Sequence, residues 1–112
     1  MGVSIIGLGA MGQNHLRVLS QLKGINIDYI YDLNISRIKK LSKIYNVKWT
    51  KNIKDIKKNS ENIIISSPTI SHFNYIKIFK DKNIFVEKPL TNNLEQALKL
   101  KKILNKQLQC GF

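Results

Sequence analysis

The stretch Val3-Ser4-Ile5-Ile6-Gly7-Leu8-Gly9-Ala10-Met11-Gly12 joins a short apolar run to a glycine-rich turn and then to a helical pattern. A strand, a tight turn and a helix accommodate all three. Each glycine has its own task in such a turn: Gly7 permits the sharp bend, Gly9 lets a pyrophosphate approach the backbone, and Gly12 lets helix and strand pack closely. Ala10 and Met11 fall at the start of the helix. There the free N–H groups and the positive end of the helix dipole face an anion without help from a basic side chain. The ligand implied is a dinucleotide, although a bare GxGxxG also describes a flexible loop that binds nothing.

Context decides between the two. An apolar strand precedes the turn, a helical face of Gly12, Leu16 and Leu19 follows it, and an acidic residue stands about 20 positions beyond Gly12. That residue is Asp32, at the end of the apolar run Ile25 to Tyr31. A carboxylate there can accept hydrogen bonds from both hydroxyls of an adenosine ribose, and its charge repels a 2′-phosphate, which favours NAD over NADP. Arg37 is close enough in sequence to tolerate that phosphate, which leaves NADP open as a cofactor. The competing role for Asp32 is to cap the turn ahead of Asn34 and Ser36.

At 112 residues the chain has room for one domain with its own core. It is 43% hydrophobic, yet no apolar run approaches the length that spans a bilayer. The N-terminus shows no secretory pattern, and Ile6 stands where a myristoylation signal wants Ser or Thr. The single cysteine, Cys110, cannot form an internal disulfide and reads as a buried thiol, which fits a cytoplasmic protein. A net charge of +12, from 19 basic residues against 7 acidic ones, ordinarily suggests a polyanionic partner. Arginine occurs only at 17 and 37, however, and the lysines at 39, 40, 43, 48, 51, 54, 57 and 58 are spread through helix and loop. Because arginine is the preferred bidentate reader of phosphate and guanine, this pattern argues against a specific nucleic-acid partner and for a solvated face.

Along the chain, periodicity and breakers predict a helix from Ala10 to about Lys23 closed by a left-handed Gly24, a strand Ile25 to Tyr31, a helix Ser36 to Tyr45 and a short strand Val47 to Trp49. Around Ile53 and Ile56 the pattern supports a brief helical turn at most. Asn62 to Ser66 is a continuous apolar run of the kind a strand covered on both faces produces. It breaks at Ser67-Pro68-Thr69, where hydroxyls and backbone groups face a ligand across the strand ends, or where Thr69 or Ser71 simply caps the next helix. That helix carries His72, Ile76 and Phe79 on one face, and the strand Asn83 to Val86 after it runs into Glu87-Lys88-Pro89. A helix Asn92 to Asn105, opened by an Asn92/Glu95 capping box, and a strand Gln107 to Phe112 complete the pattern. The prediction is α/β: one dinucleotide-binding domain over 1–112, a doubly wound and mostly parallel sheet of about six strands in the order 3-2-1-4-5-6, between two layers of helices. In such a sheet the ligand lies outside the carboxyl ends of the strands, where the glycine turn, Asp32, Ser66 to Thr69 and Glu87 to Pro89 all fall.

The pattern Gly7-x-Gly9-x-Met11-Gly12-x-x-His15, Asp32, Ser67-Pro68-Thr69-x-x-His72 and Glu87-Lys88-Pro89 resembles the N-terminal Rossmann domain of the glucose-fructose oxidoreductase/inositol dehydrogenase (Gfo/Idh/MocA) family, from Val3 to Phe112. The resemblance implies NAD(P)-dependent oxidation of a hydroxyl on a sugar or cyclitol. Lys88 would then be catalytic, beside the nicotinamide and the substrate hydroxyl, where its charge stabilises a developing alkoxide. Glu87 would orient the nicotinamide ribose or hold Lys88, and Pro89 would lock the backbone. His15 and His72 match the pattern, but two histidines on separate helices lack metal-ligand spacing, so packing or capping is expected and no metal site. Family members carry a second, substrate-binding domain after the last of these strands, and that domain supplies the catalytic histidine or acid. The expectation is therefore a single domain truncated before a substrate domain, either a fragment or a shortened reading frame, that alone binds cofactor with little or no turnover. Apolar surface left by the second domain would invite self-association into a homo-oligomer. The alternatives are a non-catalytic dinucleotide-binding or interaction module and, behind it, a basic nucleic-acid-binding protein.

Overall fold

Isoleucine dominates the strands, and its branched Cβ suits a pleated surface packed on both faces. The computed structural model describes residues 2–67, 69–87 and 108–111. In chain order the elements are β1 (Gly2–Ile6), α1 (Ala10–Ser20), β2 (Asn26–Tyr31), α2 (Ile35–Tyr45), α3 (Ile53–Asn59), β3 (Asn62–Ile65), α4 (Thr69–Ile78), β4 (Asn83–Glu87) and β5 (Leu108–Gly111). The strands form one sheet in the order β2-β1-β3-β4-β5, and every pairing is parallel. Strand order reverses between β1 and β3, which is the doubly wound arrangement.

Alternation along the strands divides the core into two. On one face Ile5 of β1 and Ile30 of β2 pack with Leu8, Leu16 of α1, and Ile38 and Leu41 of α2. On the other, Ile6, Ile63, Ile65, Ile84 and Val86 pack with Ile56 of α3, Ile76 of α4 and Phe79. Adjacent Ile5 and Ile6 thus serve opposite faces, as the two-residue period of a strand requires. The result is the expected three-layer α/β/α sandwich.

Three expectations need correcting. The segment Val47 to Trp49 makes only a single parallel bridge, Ile30 to Trp49, so the described sheet has five strands rather than about six. Its chain is held from both ends: Asn46 caps α2 in the left-handed conformation (φ 54°), the Ser42 hydroxyl donates to the Val47 carbonyl, and from Thr50 the chain turns at once into α3. There the Thr50 hydroxyl donates to Asp55 at 2.6 Å and accepts from the Asn52 amide at 3.0 Å. For the same reason α3 is a full helix rather than a brief turn, with the Asn52 side chain accepting from the Lys54 amide and Ile56 wholly buried. Finally, α1 ends at Ser20, three residues before the predicted end; Gln21 and Leu22 close it with 3₁₀-type bonds, and Gly24 takes its left-handed conformation (φ 83°) beyond the helix. The helix predicted for Asn92 to Asn105 lies outside the described residues.

Candidate functional site

Sheet register brings the site together. Tyr31, Ile6, Ile65, Val86 and Cys110 lie side by side in one row across β2, β1, β3, β4 and β5. The next residue on each chain is Asp32, Gly7, Ser66, Glu87 and Gly111. The ladder continues one step past the row through Gly7 N–H to Tyr31 O (2.8 Å) and Ser66 N–H to Ile6 O (2.7 Å). At about 4.8 Å per strand, Asp32 and Glu87 stand about 14 Å apart along this edge, with the glycine turn and Ser66 between them.

The three glycines of the turn differ in what their surroundings demand. Gly7 has φ 93°, and a Cβ on it would run into the backbone of Ser66 and Ser67. A Cβ on Gly12 would run into the Gly7 carbonyl oxygen, so α1 can press on the turn only through glycine. Gly9 is different: a Cβ there would meet nothing within 4 Å. Neither its backbone (φ −72°) nor its neighbours demand glycine, and what remains is open space in front of the helix. Gly9 caps α1 with no side-chain hydrogen bond, and the first turn holds no acidic residue, so the amides at Ala10 and Met11 face outward at the positive end of the dipole.

The turn is also tied down from outside. The Leu8 amide donates to Asp32 Oδ2 at 2.7 Å, the Gln13 side-chain amide donates to the Leu8 carbonyl at 2.9 Å, and the Leu8 side chain is wholly buried against α1 and α2. Asp32 Oδ1 accepts from the Asn34 amide at 2.8 Å, and Arg37 Nη1 lies 3.6 Å from Oδ2. Asp32 therefore does close the turn toward Asn34, while Asn34 is the residue that caps α2, accepting from the Arg37 amide at 3.1 Å. The tie between Asp32 and Leu8 is invisible to sequence reasoning, because it uses a backbone group 24 residues away. The role of Gln13 is hidden in the same way.

At the reversal point the Ser66 hydroxyl is buried without a partner among the described residues. A buried unsatisfied hydroxyl costs about 1–3 kcal/mol. Its place, beside Gly12 and at the end of β3, marks it as a candidate ligand contact. The Ser71 hydroxyl donates to Ser67 Oγ at 2.7 Å, and Thr69 is the first residue of α4, so Thr69 and Ser71 lie within the helix instead of capping it. Glu87 closes β4 opposite Gly111. Pro68, Lys88 and Pro89 lie outside the described residues. His15 packs edge-on against Phe85, with ring centroids 5.9 Å apart, and His72 lies in α4. No group of three metal-ligating side chains occurs among the described residues.

Beside Asp32, Tyr31 of β2 meets Tyr75 of α4 edge-on, with centroids 6.4 Å apart. Burial, followed by the neighbouring Tyr31 and the charge of Asp32, pushes the Tyr75 hydroxyl up to about 12.

Residues 1–111 match the family described as "Oxidoreductase family, NAD-binding Rossmann fold", the Gfo/Idh/MocA family. The chain belongs to this family. Among curated proteins it is 29% identical over 97 residues to the glucose-6-phosphate 3-dehydrogenase of Bacillus subtilis, covering 85% of this chain and 28% of that protein. It is 31% identical over 116 residues to the uncharacterised oxidoreductase YrbE of the same organism, covering 96% of this chain and 34% of the relative. Its structure resembles a Gfo/Idh/MocA family oxidoreductase from Vibrio cholerae (TM-score 0.90, 23% identity, 100% of this chain and 38% of that one). It also resembles scyllo-inositol dehydrogenase from Lactobacillus casei with bound NAD(H) and scyllo-inositol (TM-score 0.89, 19% identity, 99% and 36%). The chain is thus an NAD-binding Rossmann domain of an oxidoreductase family and spans about a third of the length of these relatives.

Proposed function

We propose that residues 1–112 form the cofactor half of a dehydrogenase that moves hydride between a hydroxyl of a sugar or cyclitol and the nicotinamide ring, with NAD as cofactor. The register row supports this reading: Asp32, the glycine turn, Ser66 and Glu87 follow one another along one edge, the order in which a ribose acceptor, a phosphate turn and a nicotinamide-side element would serve a dinucleotide. Family membership and the names of the relatives support the reaction class.

In this account the amides of Gly9, Ala10, Met11 and Gly12 hold the pyrophosphate, with Gly7 setting the bend. Asp32 accepts from the adenosine ribose with the lone pairs that Leu8 and Asn34 leave free. The hydroxyl of Ser66, with Ser67, Pro68 and Thr69, borders the cofactor at the reversal point. Glu87, Lys88 and Pro89 form the nicotinamide side, where Lys88 stabilises the developing alkoxide as the catalytic residue of this domain. Bound NAD supplies the hydride acceptor. The acid/base step needs a group from the part of the relatives that these residues do not match, so residues 1–112 alone bind cofactor with negligible turnover.

Titration with NADH, read by nicotinamide fluorescence, tests the reading. Saturable binding is expected in the wild type, and Gly9→Ala should weaken it by about tenfold or more, since a methyl then occupies the space in front of α1. A folded wild-type protein that shows no saturation at millimolar NADH contradicts it.

A further inference from the structure

We infer that Gln13 is a positioning residue for the phosphate turn, fixing the Leu8-Gly9 peptide so that the Gly9 amide, and not the Leu8 carbonyl, faces the cofactor; this rests on the dinucleotide reading above. One residue of α1 takes two successive carbonyls of the turn. The Gln13 side-chain amide donates to the Leu8 carbonyl at 2.9 Å, and the Gln13 backbone amide donates to the Gly9 carbonyl at 2.9 Å. A trans peptide is planar, with its C=O and its N–H on opposite sides. With the Leu8 and Gly9 carbonyls turned back toward Gln13, the Gly9 and Ala10 amides are turned away from it, out of the front of α1. The Gly9 amide has no acceptor among the described residues, and the space beside its Cα is open.

Of the two bonds, the one from the side chain is specific to this sequence. The bond from Gln13 N–H to the Gly9 carbonyl is the first of the helix, and any residue at 13 other than proline makes it. Helix geometry supplies nothing for the Leu8 carbonyl, one residue ahead of the cap Gly9. Glycine leaves that peptide free to turn over at little steric cost, because Gly9 accepts values of φ that other residues resist. Turned over, it would present a carbonyl oxygen, an acceptor with no proton to give, to the oxygens of a pyrophosphate. Leu8 itself is anchored independently: its amide is on Asp32 Oδ2 at 2.7 Å and its side chain is wholly buried. Asp32 and Gln13 thus hold the peptides on either side of Leu8, the first through its N–H and the second through its C=O. Gln13 is exposed, so replacing it opens no core.

Dissociation constants for NAD and for adenosine, measured by amide-resonance titration, test the inference, because adenosine carries the base and the ribose but no phosphate. Gln13→Ala should weaken NAD about fivefold, the worth of one neutral hydrogen bond, and leave adenosine within about twofold. Gln13→Glu keeps the length of the side chain but sets an acceptor against the Leu8 carbonyl, and should weaken NAD by about tenfold or more with the same small effect on adenosine. Both variants should keep the wild-type urea midpoint, since both residues suit an exposed helical position. Asp32→Ala, by contrast, should weaken both ligands, because it removes the ribose acceptor together with the hold on Leu8. NAD binding within about twofold of wild type in both Gln13 variants, or equal weakening of NAD and adenosine, overturns the inference and leaves the dinucleotide reading standing. Binding of neither ligand by folded wild-type protein overturns that reading and this inference with it.

Discussion

Gly7, Gly9 and Gly12 answer to three separate constraints, and alanine at each position separates them. At Gly12 the methyl meets a backbone carbonyl that cannot step aside, and at Gly7 it meets backbone while φ is also positive. Both variants should lose about 3 kcal/mol or more of stability, the upper range for forced overpacking. Gly24→Ala has the positive φ without the clash and should cost about 1–2 kcal/mol. Gly9→Ala has neither, and should keep stability within about 1 kcal/mol while losing cofactor. Urea midpoints of the four variants, compared with wild type, check the order; equal losses at Gly9 and Gly12 would show that the turn is constrained in some other way. At this scale the sequence was informative about which glycines matter, because spacing encodes them. It could not show the Leu8 amide on Asp32, nor the Ser66 hydroxyl that lacks a partner among the described residues, since both depend on backbone placed by other parts of the chain.

Between β2 and α4, Tyr31 and Tyr75 form a contact across 44 residues that no local pattern announces. Its signature is in titration. The Tyr75 hydroxyl is raised from its ordinary value of 10.0 to about 12, so the native state holds its proton more tightly than the unfolded chain does. The stability this represents is complete below pH 10.0 and is lost as the pH rises toward about 12. Stability measured from pH 9 to about 12 should therefore fall less steeply in Tyr75→Phe than in wild type, and parallel curves would contradict the assignment. Element boundaries show the same limit on local reading. Type and order were legible for β1, α1, β2, α2, β3 and β4, because their periodicity is strong. The third strand was not, because an isoleucine-poor Val47 to Trp49 segment is pinned between the Asn46 cap and the Thr50 turn and has room for a single bridge. Likewise α3 owes its length to the Asn52 cap and to burial of Ile56 under the sheet, and burial is a tertiary fact.

For the molecule as a whole, the sheet does more than support the site; its parallel register places the site. Every described strand delivers its carboxyl end to one edge, and residues separated by 25, 59 and 21 positions along the chain become neighbours across it: Gly7 and Asp32, Gly7 and Ser66, Ser66 and Glu87. Convergence of those motifs on one edge could be anticipated from the alternation of strands and helices, since only parallel connections permit it. Which hydroxyls and carboxylates remain free there could not. None of the described helices is long and apolar enough to cross a membrane, and nearly all of the described lysines are exposed, Lys39 lying over Trp49 at 5.9 Å and Lys77 over Phe73 at 5.4 Å. The opposite edge, at the amino ends of the strands, is held by a separate polar network: Ser4 Oγ donates to Ser60 Oγ at 3.0 Å, Ser60 Oγ donates to Asp28 at 2.9 Å, and Asn62 donates to the Gly2 carbonyl at 2.8 Å. This gives the molecule two chemically distinct poles and the central claim a direct test. Backbone amide resonances of the protein, followed while NAD is added, should shift at Gly7 to Gly12, Asp32, Ser66 and Ser67 and stay fixed at Ser4, Asp28, Ser60 and Asn62. Shifts confined to the second group, or none at saturating NAD, would contradict the account.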